Sequence, residues 1–363
     1  MNDDNAAVGA SQRQRVAVVG CGHLGAIHAR LLAGRDDAVL VAVADPCPEP
    51  RQRLADAHAC RAVADPREIV GLADACVVAA PTGLHAAVAV PLLEAGIDLL
   101  VEKPIAATPE DARAIAIAAR RHGRTVAVGH VERFNPAWRA AVGRMGRPLL
   151  VEASRCAPFT FRSLDVGVVH DLMIHDIDLV LALEPGRLER VEARGLVAAG
   201  GHEDAVRARL VFASGLVADL TASRISPVVR RTFTAWSAEG IVTVDFNTRS
   251  VEAVTPSEAV RDGSFVAAQV PPADRAAMKD RFFADILPLE SLAVADVNAI
   301  ASEHDDFLDA IRAGRPPVVT AAAGAAAVEI AARVLDAVEC TRFGGGTSRG
   351  PGTIPLYPRR KTA

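Results

Sequence analysis

Aromatic residues are scarce in this chain, 4% of 363 residues with two tryptophans and one tyrosine. Beside the abundance of alanine, this reads as the mark of a GC-rich genome and not as a functional signal. There is no C-x-x-C pair, and the six cysteines stand scattered at positions 21, 47, 60, 76, 156 and 340. Scattered thiols argue against a disulfide scaffold or a zinc site and for a reducing compartment, so a cytoplasmic, metal-free protein is expected. No apolar run reaches the roughly 18 residues of a membrane span, and Met1 to Arg15 is polar, unlike a signal peptide. Neither sign of charge dominates: a net charge of −4 gives no general pull toward nucleic acid or an anionic membrane. A basic recognition helix, which a transcriptional regulator would need, is also missing. What remains is half hydrophobic and 23% charged, a soluble globular composition long enough for two domains.

The first half alternates strand and helix. Arg15-Val-Ala-Val-Val-Gly20 reads as a buried strand running into Gly20-Cys-Gly22-His23-Leu24-Gly25 and then a helix from Ala26 to Leu32. This is G-x-G-x-x-G in strand–turn–helix context, in which glycines permit the tight turn, the approach of a pyrophosphate and close helix–strand packing. The helix N-terminus offers amide donors to phosphate. A second buried strand, Val39 to Ala44, ends in Asp45, twenty residues beyond Gly25. An acid there accepts from ribose hydroxyls and repels a 2′-phosphate, so NAD is expected ahead of NADP, although Arg51 and Arg53 follow closely. Further strands at 75–80, 98–101 and 125–128, with helices at 83–95 and 108–122, predict a doubly wound parallel sheet. Ligands of such sheets lie beyond the strands' carboxyl ends, here at Pro81-Thr82, Glu102-Lys103-Pro104 and Gly129-His130.

The apolar segment Val166 to Val180 carries His170, Asp171, His175, Asp176 and Asp178. Burying unpaired charge is costly, so these groups are expected to face a cavity or one another. Asp171, His175 and Asp178 share a helical face, and a carboxylate beside an imidazole suits proton transfer near neutral pH. From about Pro148 the pattern turns to period two, at 149–154, 188–197, 205–213, 216–223, 231–238 and 240–246, with turns at Ser214-Gly215 and Glu239-Gly240. This predicts an antiparallel sheet with the 166–183 helix laid on it, followed by helices at about 298–313 and 321–338 that pack back on the first domain.

Taken together, Val19 to Gly25 with His28, Ala80-Pro81-Thr82 with His85, Val101-Glu102-Lys103-Pro104, Gly129 to Pro136 and Asp171-x-x-x-His175 resemble the glucose–fructose oxidoreductase/inositol dehydrogenase/MocA (Gfo/Idh/MocA) family. The resemblance covers roughly residues 15 to 335. It implies hydride transfer from a sugar or cyclitol carbinol carbon to a nicotinamide, catalysed by Lys103, Asp171 and His175. A base takes the hydroxyl proton while cations stabilise the developing alkoxide. We favour His175, oriented by Asp171, as the base and Lys103 as the group polarising the same oxygen. The expected cofactor-binding residues are Gly20, Gly22, His23, Leu24, Gly25, Asp45, Pro81, Thr82, His85, Glu102 and Lys103. In several relatives the Lys–Pro bond is cis, and Pro104 is compatible with that. Two departures stand out: Thr82 replaces a common asparagine, and Asp165-Val-Gly-Val-Val-His170 replaces a glycine triplet. His170 has no assigned role.

A finer resemblance, carried by 130–136, 154–163, 169–179 and Thr221-Ala-Ser-Arg224, is to the bacterial branch of the family that oxidises the 3-hydroxyl of UDP-N-acetylglucosamine ahead of a transamination, as in lipid A variants of lipopolysaccharide. It implies a nucleotide-sugar substrate held by Arg133, Asn135, Arg155, Arg162 and Arg224, arginine being suited to diphosphate. A free-sugar or inositol dehydrogenase is the alternative within the family, and a non-catalytic NAD or sugar-nucleotide sensor the alternative outside it. The expected layout is a disordered N-terminus at 1–14, an NAD-binding Rossmann domain at 15–135, a substrate-binding and oligomerisation α+β domain at 136–340 on an open, mostly antiparallel sheet, and a flexible tail at 341–363. A homodimer or homotetramer is implied by the family's use of the open sheet face.

Overall fold

A computed structural model describes residues 13–161, 166–199, 201–343 and 347–349. The chain divides into two compact units, described in turn: one of 13–130 with 300–325, the other of 131–299 with the residues from 326 onward.

The first unit is built on six parallel strands, β1 (Gln14–Val19), β2 (Ala38–Ala44), β3 (Arg61–Val63), β4 (Ala75–Val78), β5 (Asp98–Glu102) and β6 (Val126–Gly129), in the order β3-β2-β1-β4-β5-β6. Val16, Val18, Val77 and Leu100 are fully buried, as expected of strands covered on both faces. Helices α1 (His23–Ala33), α2 (Pro48–His58), α3 (His85–Glu94) and α4 (Pro109–Arg121) make the crossovers. Thr108 caps α4 by accepting from the Asp111 amide at 3.1 Å, with Pro109 at the first helical position. All strands run the same way, so every segment after a strand emerges at one edge. The order reverses between β1 and β4, which opens a crevice at that edge.

The second unit carries a ten-stranded sheet. Helix α5 (Pro136–Val142) is followed by β7 (Leu150–Cys156), helix α6 (Ile174–Leu181), β8 (Leu188–Val197), β9 (Ala205–Phe212), β10 (Val217–Ser223), β11 (Arg230–Ser237), β12 (Gly240–Asp245) and β13 (Ser250–Val254). After these come short helices α7 (Glu258–Arg261) and α8 (Arg275–Asp280), β14 (Leu289–Ser291), helices α9 (Ala299–Ala313) and α10 (Ala321–Ala337), β15 (Val338–Arg342) and β16 (Thr347–Arg349). The order is β14-β13-β12-β11-β7-β10-β9-β8-β15-β16, with only the β7–β10 and β8–β15 pairs parallel. Alternate residues of β9 and β11 are buried, as a sheet covered on one face requires. Trp138 of α5 meets Phe233 of β11 edge-on, ring centroids 5.3 Å apart, and α6 lies on β7 and β10.

The differences from the expected layout have physical causes. Helix α2 and strand β3 went unread because α2 is almost entirely polar, burying only Leu54 and Ala55, and β3 has three residues. The single helix expected at 166–183 is a π-helical turn, Val169–Met173, continued by α6. The boundary expected after 135 falls at 130/131, and 300–325, inside the expected second domain, belongs to the first unit. The expected tail begins with a paired β15 and β16; residues 1–12, 162–165, 200, 344–346 and 350–363 lie outside the described residues. No helix among the described residues is long and apolar enough to cross a membrane.

Phe307 of α9, 1% exposed, joins Val16, Val18, Leu100 and Ala127 in the first unit's core. Phe307→Ala is expected to cost about 3–5 kcal/mol, read as a lower denaturant midpoint of the first unit, and a fragment ending near residue 140 should fail to fold because α9 is missing.

Candidate active site

In the first unit the site grows from the Gly20–Gly25 loop. Gly20 has φ +95, and a Cβ there would lie 2.5 Å from the Ala79 carbonyl oxygen; at Gly25 it would lie 1.8 Å from that of Gly20. Those two glycines are demanded by the protein's own packing. Gly22 is different: its Cβ would meet nothing within 4 Å. It is the exposed N-cap of α1, and no side chain caps the helix, so the first amides are left without a side-chain acceptor. A backbone held bare at a helix N-terminus fits a pyrophosphate. Burial, with Asp45 close by, pushes the intervening Cys21 thiol up to about 12, so it stays neutral.

Asp45 ends β2 as expected. Its Oδ2 accepts from the Cys21 amide and its Oδ1 from the Cys47 amide, both at 2.8 Å, which ties it to the glycine loop and uses two of its roughly four lone-pair directions. Arg51 donates to the Asp45 carbonyl at 2.5 Å, and Arg53 reaches only Glu49, at 4.0 Å. After β4, Pro81 leads into the turn Thr82–Leu84. His85 behind it is 1% exposed, its Nε2 2.8 Å from the Ala80 carbonyl and its Nδ1 3.0 Å from that of Pro104. His85 thus joins the loops after β4 and β5. The Lys103–Pro104 peptide is cis.

Glu102 is also turned inward. One carboxylate oxygen accepts from the Lys103 amide at 3.1 Å and the other lies 2.8 Å from His28 Nε2. Burial alone would raise its pKa, but the His28 hydrogen bond and the Lys103 charge more than offset this and hold it below the usual range. His28 Nδ1 lies 2.7 Å from Nε2 of His304, on α9. Burial, with His28 and Arg35 nearby, lowers His304 to about 3, so that ring is neutral. Beside it, burial and the Glu102 charge push Glu303 well up, so it holds its proton. Nothing in the local pattern announces His304 or Glu303, which lie 201 and 200 residues downstream of Lys103.

In the second unit, the helical segment after Val168 sorts its charges by depth. Asp171 and His175 are half-buried, whereas Asp176 and Asp178 are each 1% exposed. Asp178 therefore does not share an accessible face with Asp171 and His175; it sits deeper along the axis, 3.8 Å from Arg133 Nε. Asp176 pairs with Arg155 Nη2 at 2.9 Å, and Arg155 Nη1 reaches Glu132 at 2.8 Å. Glu203 borders the start of the segment, its Oε1 3.2 Å from the Val169 amide and 1.9 Å from where a Gly167 Cβ would stand. A side chain at position 167 would therefore meet the Glu203 carboxylate.

The expected substrate residues fare differently. Arg155, 4% exposed, and Arg224, 6% exposed, are both paired inside the protein, Arg224 through Nε to Asp204 at 2.7 Å and through Nη1 to the Val166 carbonyl at 2.9 Å. Freeing either for a phosphate would strand a buried carboxylate, at about 3–5 kcal/mol. Arg133 is engaged with Asp178, and Asn135 caps α5, accepting from the Ala137 amide at 3.0 Å and donating to Glu132 at 2.9 Å. All four make these contacts within the protein, and Arg162 lies outside the described residues. Sequence reasoning missed Arg231. It stands opposite Arg155 across the β7–β11 ladder, hence on the same face, yet it is exposed, and its charge acts on Asp176.

Residues 14–130 match the profile of the oxidoreductase family with an NAD-binding Rossmann fold, and 139–243 the GFO/IDH/MocA C-terminal domain. The chain belongs to the Gfo/Idh/MocA family and is a nicotinamide-dependent dehydrogenase of the kind that acts on CH–OH groups. It is 33% identical to a UDP-N-acetylglucosamine 3-dehydrogenase of Acidithiobacillus ferrooxidans over 90% of this chain and 97% of that one, and a solved structure of that enzyme superposes with TM-score 0.78 at 31% identity, over 90% of this chain and 98% of that one. A scyllo-inositol 2-dehydrogenase (NAD(+)) of Bacillus subtilis is 29% identical over 59% of this chain and 68% of its own. Levoglucosan dehydrogenase in complex with NADH shares the fold, with TM-score 0.75 at 20% identity over 90% of this chain and 97% of that one.

The buried ionisable groups make stability pH-dependent. His304 is depressed, so its contribution is present above about 6.5 and is lost as pH falls toward 3. Glu303 is raised, so its contribution is present below about 4.5 and is lost as pH rises above that. Unfolding titrations should show Glu303→Gln removing the decline at rising pH, while the loss of stability at falling pH persists.

Proposed function

We propose that this enzyme oxidises the 3-hydroxyl of UDP-N-acetylglucosamine to the 3-keto sugar with NAD. The observation that carries the reading is end-to-end likeness to an enzyme of that name, 33% identical over 90% of this chain, where the inositol dehydrogenase aligns over 59%. Bound NAD supplies the hydride acceptor. The bare amides around Gly22 hold its pyrophosphate, and Asp45, already oriented by two backbone donors, accepts from the ribose and disfavours a 2′-phosphate.

Lys103 polarises the reacting hydroxyl as a cation, and His175 accepts its proton with Asp171 orienting the ring. Arg231 takes over the phosphate contact first expected of Arg155 and Arg224, because its guanidinium is exposed where theirs are buried. In this reading the enzyme works in the cytoplasm as a homodimer or homotetramer and supplies a 3-keto sugar for 3-amino sugar synthesis of the lipid A type.

An absorbance assay of NADH formation tests it, with NAD or NADP against UDP-N-acetylglucosamine, free hexoses and inositols. Turnover is expected with NAD and the nucleotide sugar; turnover of a free sugar or inositol in its place would sink the substrate assignment. Lys103→Ala should lower kcat/KM about 10²–10⁴-fold, whereas Arg231→Ala should raise KM for the nucleotide sugar with kcat little changed.

A further inference from the structure

We propose that His304 and His28 are positioning residues for Lys103, acting through the Glu102 carboxylate; this rests on the catalytic role given to Lys103 above. The chain is continuous and buried: His304 and His28 are fully buried, Glu303 is 2% exposed and Glu102 8%. Its contacts are 2.7 Å between the two imidazoles, 2.8 Å from His28 to Glu102 and 3.1 Å from Glu102 to the Lys103 amide.

The positions of the hydrogens follow from accounting for donors. His304 Nδ1 is buried and finds no partner among the described residues. A buried N–H without an acceptor is the more costly orphan, so the hydrogen of the neutral His304 ring belongs on Nε2, facing His28. His28 Nδ1 then accepts, and His28 Nε2–H donates to Glu102. Every donor points toward the carboxylate, and its second oxygen holds the Lys103 amide. Glu303 stays neutral beside the chain, which keeps a second negative charge from Glu102. The closing strand also fits: a Cβ on Gly129 would come within 3.0 Å of Glu102 Oε2, so β6 packs against the carboxylate. The groups facing this chain are thus Glu303 and Asp306 on α9, Arg35 after α1, and Lys103 itself.

The consequence is that α9 sets the backbone on which Lys103 stands. A displacement of about 1 Å at a catalytic group can cost on the order of 10²-fold. The test compares His304→Gln, whose amide nitrogen reaches the place of Nε2, with His304→Asn, whose amide reaches only that of Nδ1. In the cofactor-free full chain, the Lys103 amide resonance should stay near its wild-type position in His304→Gln and move in His304→Asn. In turnover, His304→Asn should lose about 10- to 100-fold in kcat with KM for the sugar within about twofold, and His304→Gln should recover most of it. An unmoved Lys103 amide in His304→Asn, or equal kcat in the two variants, overturns the inference. Should the wild-type protein turn over no sugar offered, the functional reading fails and the amide comparison still decides whether His304 positions Lys103.

Discussion

The contact on which the first unit depends is the approach of α1 to the end of β1. A Cβ at Gly25 would stand 1.8 Å from the Gly20 carbonyl oxygen, so only glycine lets the helix start where it does. Once it starts there, the helix begins at Gly22 without a side-chain cap and the Asp45 carboxylate is brought to the Cys21 amide at 2.8 Å. Helix, strand and carboxylate are one construction, and the bare cradle is its product. The rest of the edge inherits its position from the parallel sheet, which delivers Thr82 and Lys103 to the same side as the cradle.

Behind that edge, and in the second unit, ionisable groups are buried in hydrogen-bonded networks. Glu102, His28 and His304 form one. Arg155 with Glu132 and Asp176 forms another, backed by Asn135. Such networks are poor sources of stability, because desolvation takes back most of what pairing gives. Their value lies in geometry: a charge with all its partners in place has one position. Asp176 is the direct neighbour of His175, and Glu102 of Lys103, so in each unit a candidate catalytic residue is chained to a locked one.

Much of this was legible in the sequence. Glycine spacing, the acid after β2 and the strand periodicities of β7 to β12 are local properties, and local chemistry dictates them. The helix at 166–183 was legible as a helix, but which of its acids would be buried was not. Helical spacing gives the azimuth of Asp178 and says nothing of its depth. Arginine made the same point: Arg155 and Arg224 look like Arg231 in sequence, and only packing separates a guanidinium enclosed by carboxylates from one open to solvent. The segments 48–63 and 255–298 were unread because they are polar or short, so burial periodicity had nothing to report.

The sequence by itself determined the family, the parallel first sheet and the identity of Lys103, Asp171 and His175 as the residues to watch, because these rest on spacing along the chain. Tertiary structure alone decided that 300–325 completes the first unit, that His304 meets His28 across 276 residues, and which carboxylates Arg133, Arg155 and Arg224 pair with. The reason is physical. Hydrogen-bond partners of buried charges are chosen by where elements pack, and packing joins residues whose separation in the chain carries no information about their contact.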